Sequence, residues 1–439
     1  MIVNMTNGEI DKLGTRIGNS SEVTNEDLDR LQEYRQTFQQ PLSRVFSFVL
    51  SAARKLDRQC IVTYRIKRID TIIEKLRRFK KNENGKMTLS RMWDIAGCRC
   101  ILSAPGDEKI YQLRDIILNE FGDCCKVNDR IARPQASGYR SLHVYVKDKQ
   151  TQKPIEIQIR NKSHHNWATL VEIVDLLYGS QNKEQGEKGQ LGRFLYLFSK
   201  AKDLSSKEFS EMLTIERRMK VFEKMSRVLT GNYLNIRQQW MQQQQLGCYY
   251  VITANKKESE ILSFPTFEKA ESAYYEKYLA NSDCNIVLTH IQNPEFEQIS
   301  MAYSNYILAV HAFFDDYRSL LADRIVESLK SGNYHRFIKL FRIYNYDVKS
   351  HFENMSLEVD RIQTCSKNPR ISRNQINKWI KEIKIRIMRW RDETIAFGSR
   401  LHRVSLDSRF KNWLVGTRIK RLAKAVSDGQ SVLRNNKHR

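Results

Sequence analysis

A polar strand face is predicted at residues 138–160, where two short segments alternate between apolar and polar side chains. This period of two is typical of half-buried strands, and the polar stretch 148–153 is short enough to join them as a hairpin. The polar face would carry an imidazole, a carboxylate, an amide and a guanidinium, from His143, Glu156, Gln158 and Arg160. An ordinary solvated strand could look the same, but the Gly-Tyr-Arg turn at Gly138 that leads into the hairpin favours a site.

A second set of polar residues follows one face of a predicted helix over residues 63–80. Lys67, Thr71, Lys75 and Arg78 are spaced by 4, 4 and 3 residues. Three cations and a hydroxyl in a line suit a triphosphate lying along the helix. The alternative is a solvated basic face, which is the commoner meaning of such a pattern. The opposite face is apolar and is predicted to enter the core; its residues are Ile66, Ile69, Ile73 and Leu76.

Two acids lie on strands that carry these motifs. Asp94 begins a predicted strand over 93–102, and Glu156 lies within the second strand of the hairpin. Two carboxylates that converge on Mg²⁺ between phosphates are a common arrangement for phosphoryl transfer. An acid at the start of a strand can equally be a turn or cap residue.

Strands and helices alternate around these residues and predict a single compact unit. A helix is expected at 42–58, an amphipathic helix at 108–121, a short strand running into Asp129, and a helix at 163–178. Asn25 is a candidate cap for a helix beginning at Glu26. Residues 1–24 are polar and are predicted to be a flexible N-terminal tail.

The chain of 439 residues has a net charge of +24, and this charge is uneven. Residues 367–439 hold 20 Lys or Arg against 5 Asp or Glu, which is a net charge of +15, whereas 64–180 is +8. We therefore expect one basic region to face nucleotide phosphates and the other to face a polyanion. No apolar run predicts a membrane span, the eight cysteines form no Cys-x-x-Cys pair, and a cytoplasmic location is expected.

Five motifs occur in an order and at spacings that resemble the synthetase domain of RelA/SpoT alarmone synthetases. Each motif alone is weak, but together they are specific. They cover about residues 40–180 and read Arg65-x-Lys67, Thr71-Ile72-x-x-Lys75, Asp94-Ile95-Ala96-Gly97-x-Arg99, Gly138-Tyr139-Arg140-Ser141-Leu142-His143 and Glu156-Ile157-Gln158-Ile159-Arg160.

The resemblance implies an ATP-dependent transfer of the β,γ-pyrophosphate to the 3′-hydroxyl of GDP or GTP, with release of AMP. It implies that Arg65 and Arg99 bind the adenine, and that Asp94 and Glu156 hold Mg²⁺, with Glu156 also activating the hydroxyl. The remaining implied roles are ATP phosphate binding by Lys67, Thr71, Lys75 and Arg78, and acceptor binding by Tyr139, His143, Gln158 and Arg160. Tyr139 would stack on the acceptor base at the lip of the site.

Departures from the family pattern leave the acceptor open. Gln135 stands where many members have a lysine, which would weaken the grip on the 5′-phosphates of a free nucleotide. Some relatives are toxins that modify the 3′-end of tRNA, or phage-triggered defence proteins, and the basic surplus fits that branch. No His-Asp motif of the companion hydrolase domain is found, so a synthetase-only chain is expected. A catalytically dead RNA-binding regulator is the remaining alternative.

The fold class expected is α+β, with a mixed sheet flanked by helices as in nucleotidyltransferases. The predicted divisions are a tail at 1–24, the synthetase with flanking helices at 25–245, a small α/β accessory module at 246–323 and a basic helical domain at 324–439. In that last domain an apolar seam is predicted to be either docked on the protein itself or a dimer interface; it consists of Ile376, Ile380, Ile383, Ile387 and Trp390. Its basic faces could contact RNA, an antitoxin or a trigger protein.

Overall fold

The computed structural model describes residues 5–81, 88–122, 125–179, 189–200, 203–242, 247–255, 259–280, 284–292, 295–307, 311–369 and 371–435. The chain divides into two compact units. The first comprises residues 1–236 and 243–309, and the second comprises 237–242 and 310–439. A polar, glycine-rich stretch at 179–189, which the sequence predicts to be a loop, falls almost entirely outside the described residues.

One mixed sheet of eight strands, counted over the described residues, forms the centre of the first unit. Its spatial order is β3-β4-β5-β2-β1-β8-β6-β7. The strands are β1 (Ile61–Ile66), β2 (Ala96–Leu102), β3 (Lys126–Asp129), β4 (Leu142–Lys147), β5 (Pro154–Asn161), β6 (Tyr249–Ala254), β7 (Ser259–Phe264) and β8 (Asn285–His290). Only β2 and β5 pair in parallel, and the other neighbours are antiparallel. This confirms the expected mixed sheet flanked by helices.

The predicted hairpin is confirmed as β4 and β5. Their register places His143 opposite Gln158 and Tyr145 opposite Glu156, so these polar residues share one face. The alternating apolar residues are fully buried on the other face; they are Leu142, Val144, Val146, Ile155, Ile157 and Ile159. The period of two therefore predicted both the two strands and the face of the sheet that carries the polar residues.

The helices of the first unit precede, separate and follow these strands. They are α1 (Asn7–Asn19), α2 (Asn25–Gln36), α3 (Gln39–Leu56), α4 (Ile69–Lys81), α5 (Glu108–Phe121), α6 (Lys162–Tyr178), α7 (Gly189–Ser199), α8 (Ser206–Met219), α9 (Val221–Gln242), α10 (Phe267–Ala280), α11 (Phe296–Ala302) and α12 (Ser304–Ile307). The last turn of α9 is assigned to the second unit.

The expectation of a flexible tail at 1–24 is wrong for most of that segment. Helix α1 begins at a capping box in which Thr6 and Glu9 bond each other's backbone, and Ile10, Leu13 and Ile17 are buried in the sheet's core. Three apolar residues on one helical face outweigh the polar composition that suggested a tail. Thr24, not Asn25, caps the next helix.

The predicted accessory module at 246–323 is also corrected. Its strands and the helix α10 are present as expected, but β8 pairs with β1 through Tyr64 and Arg65. Strands β6 to β8 therefore extend the main sheet instead of forming a separate unit. A buried ion pair supports this junction, because Arg35 on α2 lies 2.9 Å from Glu271 on α10 with both side chains essentially inaccessible.

The second unit is built from long helices, and its boundary lies at about 310 rather than 324. Its helices are α13 (His311–Lys330), α14 (Tyr334–Cys365), α15 (Arg373–Ser405) and α16 (Arg409–Asn435). The predicted seam on α15 is largely confirmed as an internal contact, since Ile383, Ile387 and Trp390 are buried. Trp379 is buried in place of Ile376 and Ile380, which are only partly covered.

No helix in the described ranges combines the length and the apolar character needed to cross a membrane.

Candidate active site

The acid at position 94 is held by two lysines. Asp94 lies in the turn before β2, and its oxygens contact Nζ of Lys67 at 2.7 Å and Nζ of Lys75 at 2.6 Å. Burial alone would raise the pKa of Asp94, but the two nearby ammonium groups have the larger effect and hold that pKa below its usual range. Lys67 and Lys75 thus form part of a partly buried charge cluster, and the alternative of a solvated basic face does not apply to them.

The predicted helix 63–80 is wrong for its first residues. Residues 61–66 form strand β1, and Lys67 lies in the connection to α4, which begins at Ile69. Thr71 and Arg78 do lie on α4 with Lys75, where Thr71 accepts a hydrogen bond from Nε of Arg68 at 3.2 Å. Lys67 and Lys75 meet at Asp94 although two elements supply them, whereas the Arg78 side chain is exposed.

Glu156 is the second partly buried carboxylate on this side of the sheet. Nδ1 of His143 lies 2.8 Å from Oε1, and Nε2 of Gln158 donates to Oε2 at 2.8 Å. Burial would raise the pKa of Glu156, but these bonds and the charge of Lys67 keep it far below its usual range. Burial likewise would lower the pKa of His143, whereas Glu156 raises it above the ordinary value. The pair is therefore an ionised carboxylate beside an imidazole that favours its proton.

Tyr139 does not lie at the lip of the site, in contrast to the expectation. Its side chain is 6% exposed, and its hydroxyl contacts Nε2 of His143 at 3.0 Å and the guanidinium of Arg160. The ring also lies beside Trp167, with centroids 6.4 Å apart. These contacts arise because β4, β5 and α6 converge on the turn at Gly138. An acceptor base could stack on this ring only after the ring moved.

The two arginines predicted to bind adenine come from neighbouring strands. Arg65 on β1 and Arg99 on β2 are both partly buried, and neither forms an ion pair with any residue that the structure describes. Burial and the charges of Arg65 and Arg160 lower the pKa of Arg99 to about 10. Glu172 is a counter-charge for both arginines but offsets their mutual repulsion only in part, so this face is suited to an anionic ligand.

Comparison with known proteins matches the part of the chain that contains these residues. Residues 64–183 match the family described as the region found in RelA and SpoT proteins. This chain contains a RelA/SpoT domain. It is 33% identical over 113 residues to the GTP pyrophosphokinase YwaC of Bacillus subtilis, a match that covers 24% of this chain and 53% of that protein. It is also 33% identical over 88 residues to a probable chloroplastic GTP diphosphokinase of Arabidopsis thaliana, covering 20% of this chain and 12% of that one. The matches therefore span about half of one relative and a small part of the other.

Solved structures similar to the chain include small alarmone synthetase 1 of Bacillus subtilis bound to its product pppGpp. That match has a TM-score of 0.31 and 25% identity, and it covers 44% of this chain and 99% of that one. The protein smu.1046c of Streptococcus mutans matches with a TM-score of 0.29 and 26% identity, over 42% of this chain and 93% of that one.

A segment outside the RelA/SpoT domain covers the arginine pair. Helices α11 and α12 and the residue between them, Tyr303, lie on the same face of the sheet as Arg65 and Arg99. Nη1 of Arg99 donates to the carbonyl of Ala302 at 3.0 Å, and its guanidinium lies 5.9 Å from the centre of the Tyr303 ring. Tyr306 acts electrostatically on Arg65. We call residues 296–307 the covering segment.

The covering segment is anchored by hydrogen bonds to the sheet and to α6. The Tyr303 hydroxyl, which is buried, contacts Oγ1 of Thr289 and donates to Oγ1 of Thr63 at 3.3 Å. Nδ2 of Asn305 donates to Oε2 of Glu172 at 2.6 Å, and Nε2 of His165 lies 2.8 Å from the carbonyl of Met301. Sequence reasoning missed these residues, since the sequence marks them only by the aromatic side chains that recur from Tyr303 onward.

The RelA/SpoT domain provides oxygen donors of the kind that Mg²⁺ binds. Among the described residues no cluster of three or more His, Cys, Asp or Glu has the geometry of a metal site. Asp94 and Glu156 nevertheless both lie near Lys67, whose charge acts on each of them. Each oxygen that is bonded to a side chain retains a further lone pair, so two carboxylates with partner phosphates would fit a divalent ion.

Proposed function

We propose that the RelA/SpoT domain is an ATP-dependent pyrophosphokinase whose acceptor is the 3′-hydroxyl of GDP or GTP. The observation that carries this proposal is the single polar face on which Asp94, Glu156 and five cations converge. The names of the relatives, GTP pyrophosphokinase and GTP diphosphokinase, support the same reaction. The cations are Arg65, Lys67, Lys75, Arg99 and Arg160.

The proposed reaction is an in-line displacement at the β-phosphorus of ATP. The acceptor 3′-oxygen forms a bond to that phosphorus, the bond to the α,β-bridging oxygen breaks, and AMP leaves with the bonding electrons. Such a transition state spreads negative charge over phosphoryl oxygens, so positioning and neutralisation supply most of the catalysis. Lys67, Lys75 and Arg78 would supply cations to the triphosphate.

Mg²⁺ would be held by Asp94 and Glu156. When bound, it neutralises charge on the transferred phosphates and orients them. The lowered pKa of Glu156 makes it a weak base, so it would orient the hydroxyl and take its proton only as the new bond to phosphorus makes that oxygen acidic. Gln158 and His143 hold the carboxylate in place for this role, and Arg160 fixes Tyr139 beside them.

A second candidate acceptor is the 3′-end of tRNA. It is supported by Gln135, which lies exposed in the turn before Tyr139 where a lysine would hold 5′-phosphates, and by the strongly basic residues 367–439. A free nucleotide needs those phosphate contacts for affinity, whereas a polynucleotide obtains affinity from many phosphates elsewhere.

ATP labelled on the γ-phosphate distinguishes these functions. The full chain is incubated with Mg²⁺ and either GDP, GTP or bulk tRNA, and the products are separated. Label on the guanine nucleotide with release of AMP supports the leading proposal, and label on tRNA supports the second. Asp94→Asn and Glu156→Gln should reduce the transfer by orders of magnitude. If the chain binds ATP but transfers label to none of these acceptors, the result supports the alternative of a non-catalytic regulator.

The covering segment has a consequence for ATP binding under this proposal. Adenine cannot stack between Arg65 and Arg99 while Tyr303 and Ala302 contact Arg99. The conformation described here is therefore one in which ATP must displace residues 296–307.

A further inference from the structure

Exposed apolar side chains are concentrated in the second unit. Of the ten large apolar residues that are exposed among the described residues, eight lie between 346 and 413. Three of them follow one face of α15: Ile385 and Ile395 are each 56% exposed, and Met388 is 51% exposed. Exposed aliphatic residues in a row mark sites of protein contact more often than scattered single ones do.

Helix α15 carries two apolar stripes. Its inner stripe is used within the unit, where Trp379 also donates from Nε1 to Glu358 at 2.8 Å. The apolar residues of the outer stripe, Ile385, Met388 and Ile395, are spaced by 3 and 7 residues. The two positions that complete a 4, 3, 4, 3 pattern are charged: Lys381, and Asp392, which is paired with Arg391. Spacing of this kind forms a seam along which a second helix can pack. We call Ile385, Met388 and Ile395 the outer stripe.

The charges beside the outer stripe select the partner. Lys378, Lys381 and Lys384 are exposed, and no described residue forms an ion pair with any of them. By contrast, Arg386 is paired with Glu358 on the inner side. Unpaired lysines that flank an apolar seam complement an acidic amphipathic helix, as charged flanking positions do in coiled coils.

The same observations argue against a second copy of this chain, and against nucleic acid, as the molecule that binds the outer stripe. A second copy of this chain would bring a region of +15 against another of +15, which repels. Nucleic acid would contact the lysines but would leave the aliphatic side chains without a role. Interfaces with nucleic acid are polar, and proteins bind the bases through aromatic stacking or hydrogen bonds. The stripe contains two isoleucines and a methionine but no aromatic ring.

We propose that the outer stripe of α15 is the docking site for an acidic amphipathic helix of a partner protein. Apolar residues of the partner would cover Ile385, Met388 and Ile395, while its carboxylates would pair with Lys381 and Lys384. This proposal concerns only the second unit, and it stands or falls independently of the reaction proposed above.

The test uses the full chain and a designed helical peptide as the probe. The peptide carries leucines with heptad spacing flanked by glutamates, and a second peptide of the same composition has the order scrambled. Binding is measured by calorimetry at low and high salt. We expect the ordered peptide to bind at least tenfold more tightly than the scrambled one, and we expect salt to weaken it.

Three variants make the assignment specific. Ile385→Ser with Ile395→Ser should weaken binding by about tenfold to fiftyfold, because each isoleucine buries about half of its surface in the complex. Lys381→Glu with Lys384→Glu should weaken it, and salt should then strengthen the binding that remains, because it screens the repulsion between like charges. Leu357→Ser, which removes an apolar side chain 54% exposed on α14, is the matched control and should bind as the parent does.

Other outcomes would overturn the proposal. Equal binding of both peptides, or binding unaffected by the isoleucine pair, would show that the stripe is not the contact. If the parent chain bound a single-stranded RNA more tightly than the ordered peptide, and Ile385→Ser with Ile395→Ser abolished that binding, nucleic acid would be the partner. If the parent chain self-associated in sedimentation experiments and the same double variant abolished this, the partner would be a second copy of the chain.

Discussion

Removal of one hydroxyl group should increase the affinity of this protein for ATP. Tyr303→Phe keeps the buried ring but removes the contacts of its oxygen with Thr63 and Thr289. Since the covering segment and adenine compete for Arg99 under the proposed function, loosening the segment favours ATP. The change is nearly isosteric, so it leaves the packing of the sheet intact.

The magnitude follows from the contacts that are lost. Each hydrogen bond contributes about 0.5–1.5 kcal/mol net, so two of them contribute about 1–3 kcal/mol to the docked state. That range corresponds to a shift of about 5- to 150-fold in the equilibrium between covered and uncovered sites. While the covered state predominates, the apparent dissociation constant for ATP should fall by the same factor.

Calorimetry with a non-hydrolysable ATP analogue measures this effect without turnover. Asn305→Ala is a second test, because Asn305 anchors the segment to Glu172 without touching either arginine. Tyr64→Phe is the matched control, since its buried hydroxyl contacts Tyr249 at 3.4 Å and not the covering segment. Unchanged affinity in both Tyr303→Phe and Asn305→Ala, with normal melting temperatures, would refute the competition between the segment and ATP.

Three further predictions concern the charge network and the sheet. In an NMR titration the pKa of His143 should lie above 6.5, and in Glu156→Gln it should fall below 6.5, because burial then acts without the carboxylate; a midpoint unchanged between the two proteins would contradict this pairing. Glu271→Ala should lower the free energy of unfolding by about 3–5 kcal/mol by leaving Arg35 buried and unpaired, whereas Arg35→Met with Glu271→Leu should cost much less; equal losses in denaturant titrations would argue against a buried ion pair. Gly97→Ala should cost about 1–3 kcal/mol and reduce activity, because its Cβ would lie 2.7 Å from the backbone oxygen of Glu156; unchanged stability would show that β2 and β5 can separate freely.

The sequence by itself determined the elements whose signals are local. The period of two in residues 142–159 predicted β4 and β5 and the polar face that they share, because alternate side chains of a strand must point to opposite sides. The apolar face of α4 was predicted in the same way, and Ile69, Ile73 and Leu76 are buried. The family motifs then selected which polar residues to consider, and among them the structure groups Asp94 with Lys67 and Lys75, and Glu156 with His143.

Only the tertiary structure decided the contacts between distant parts of the chain. The pairing of β8 with β1 joins Thr289 to Arg65, more than 200 residues apart, and depends on which sheet edge is available rather than on any local pattern. The burial of Tyr139 is likewise set by α6, which packs Trp167 against it. Charge composition predicted a basic protein but not which cations are neutralised, since Asp94 meets Lys67 and Lys75 only when three segments converge. Tyr303 lies against Arg99 for the same reason: an aromatic residue carries no sequence signal for the surface that it will cover.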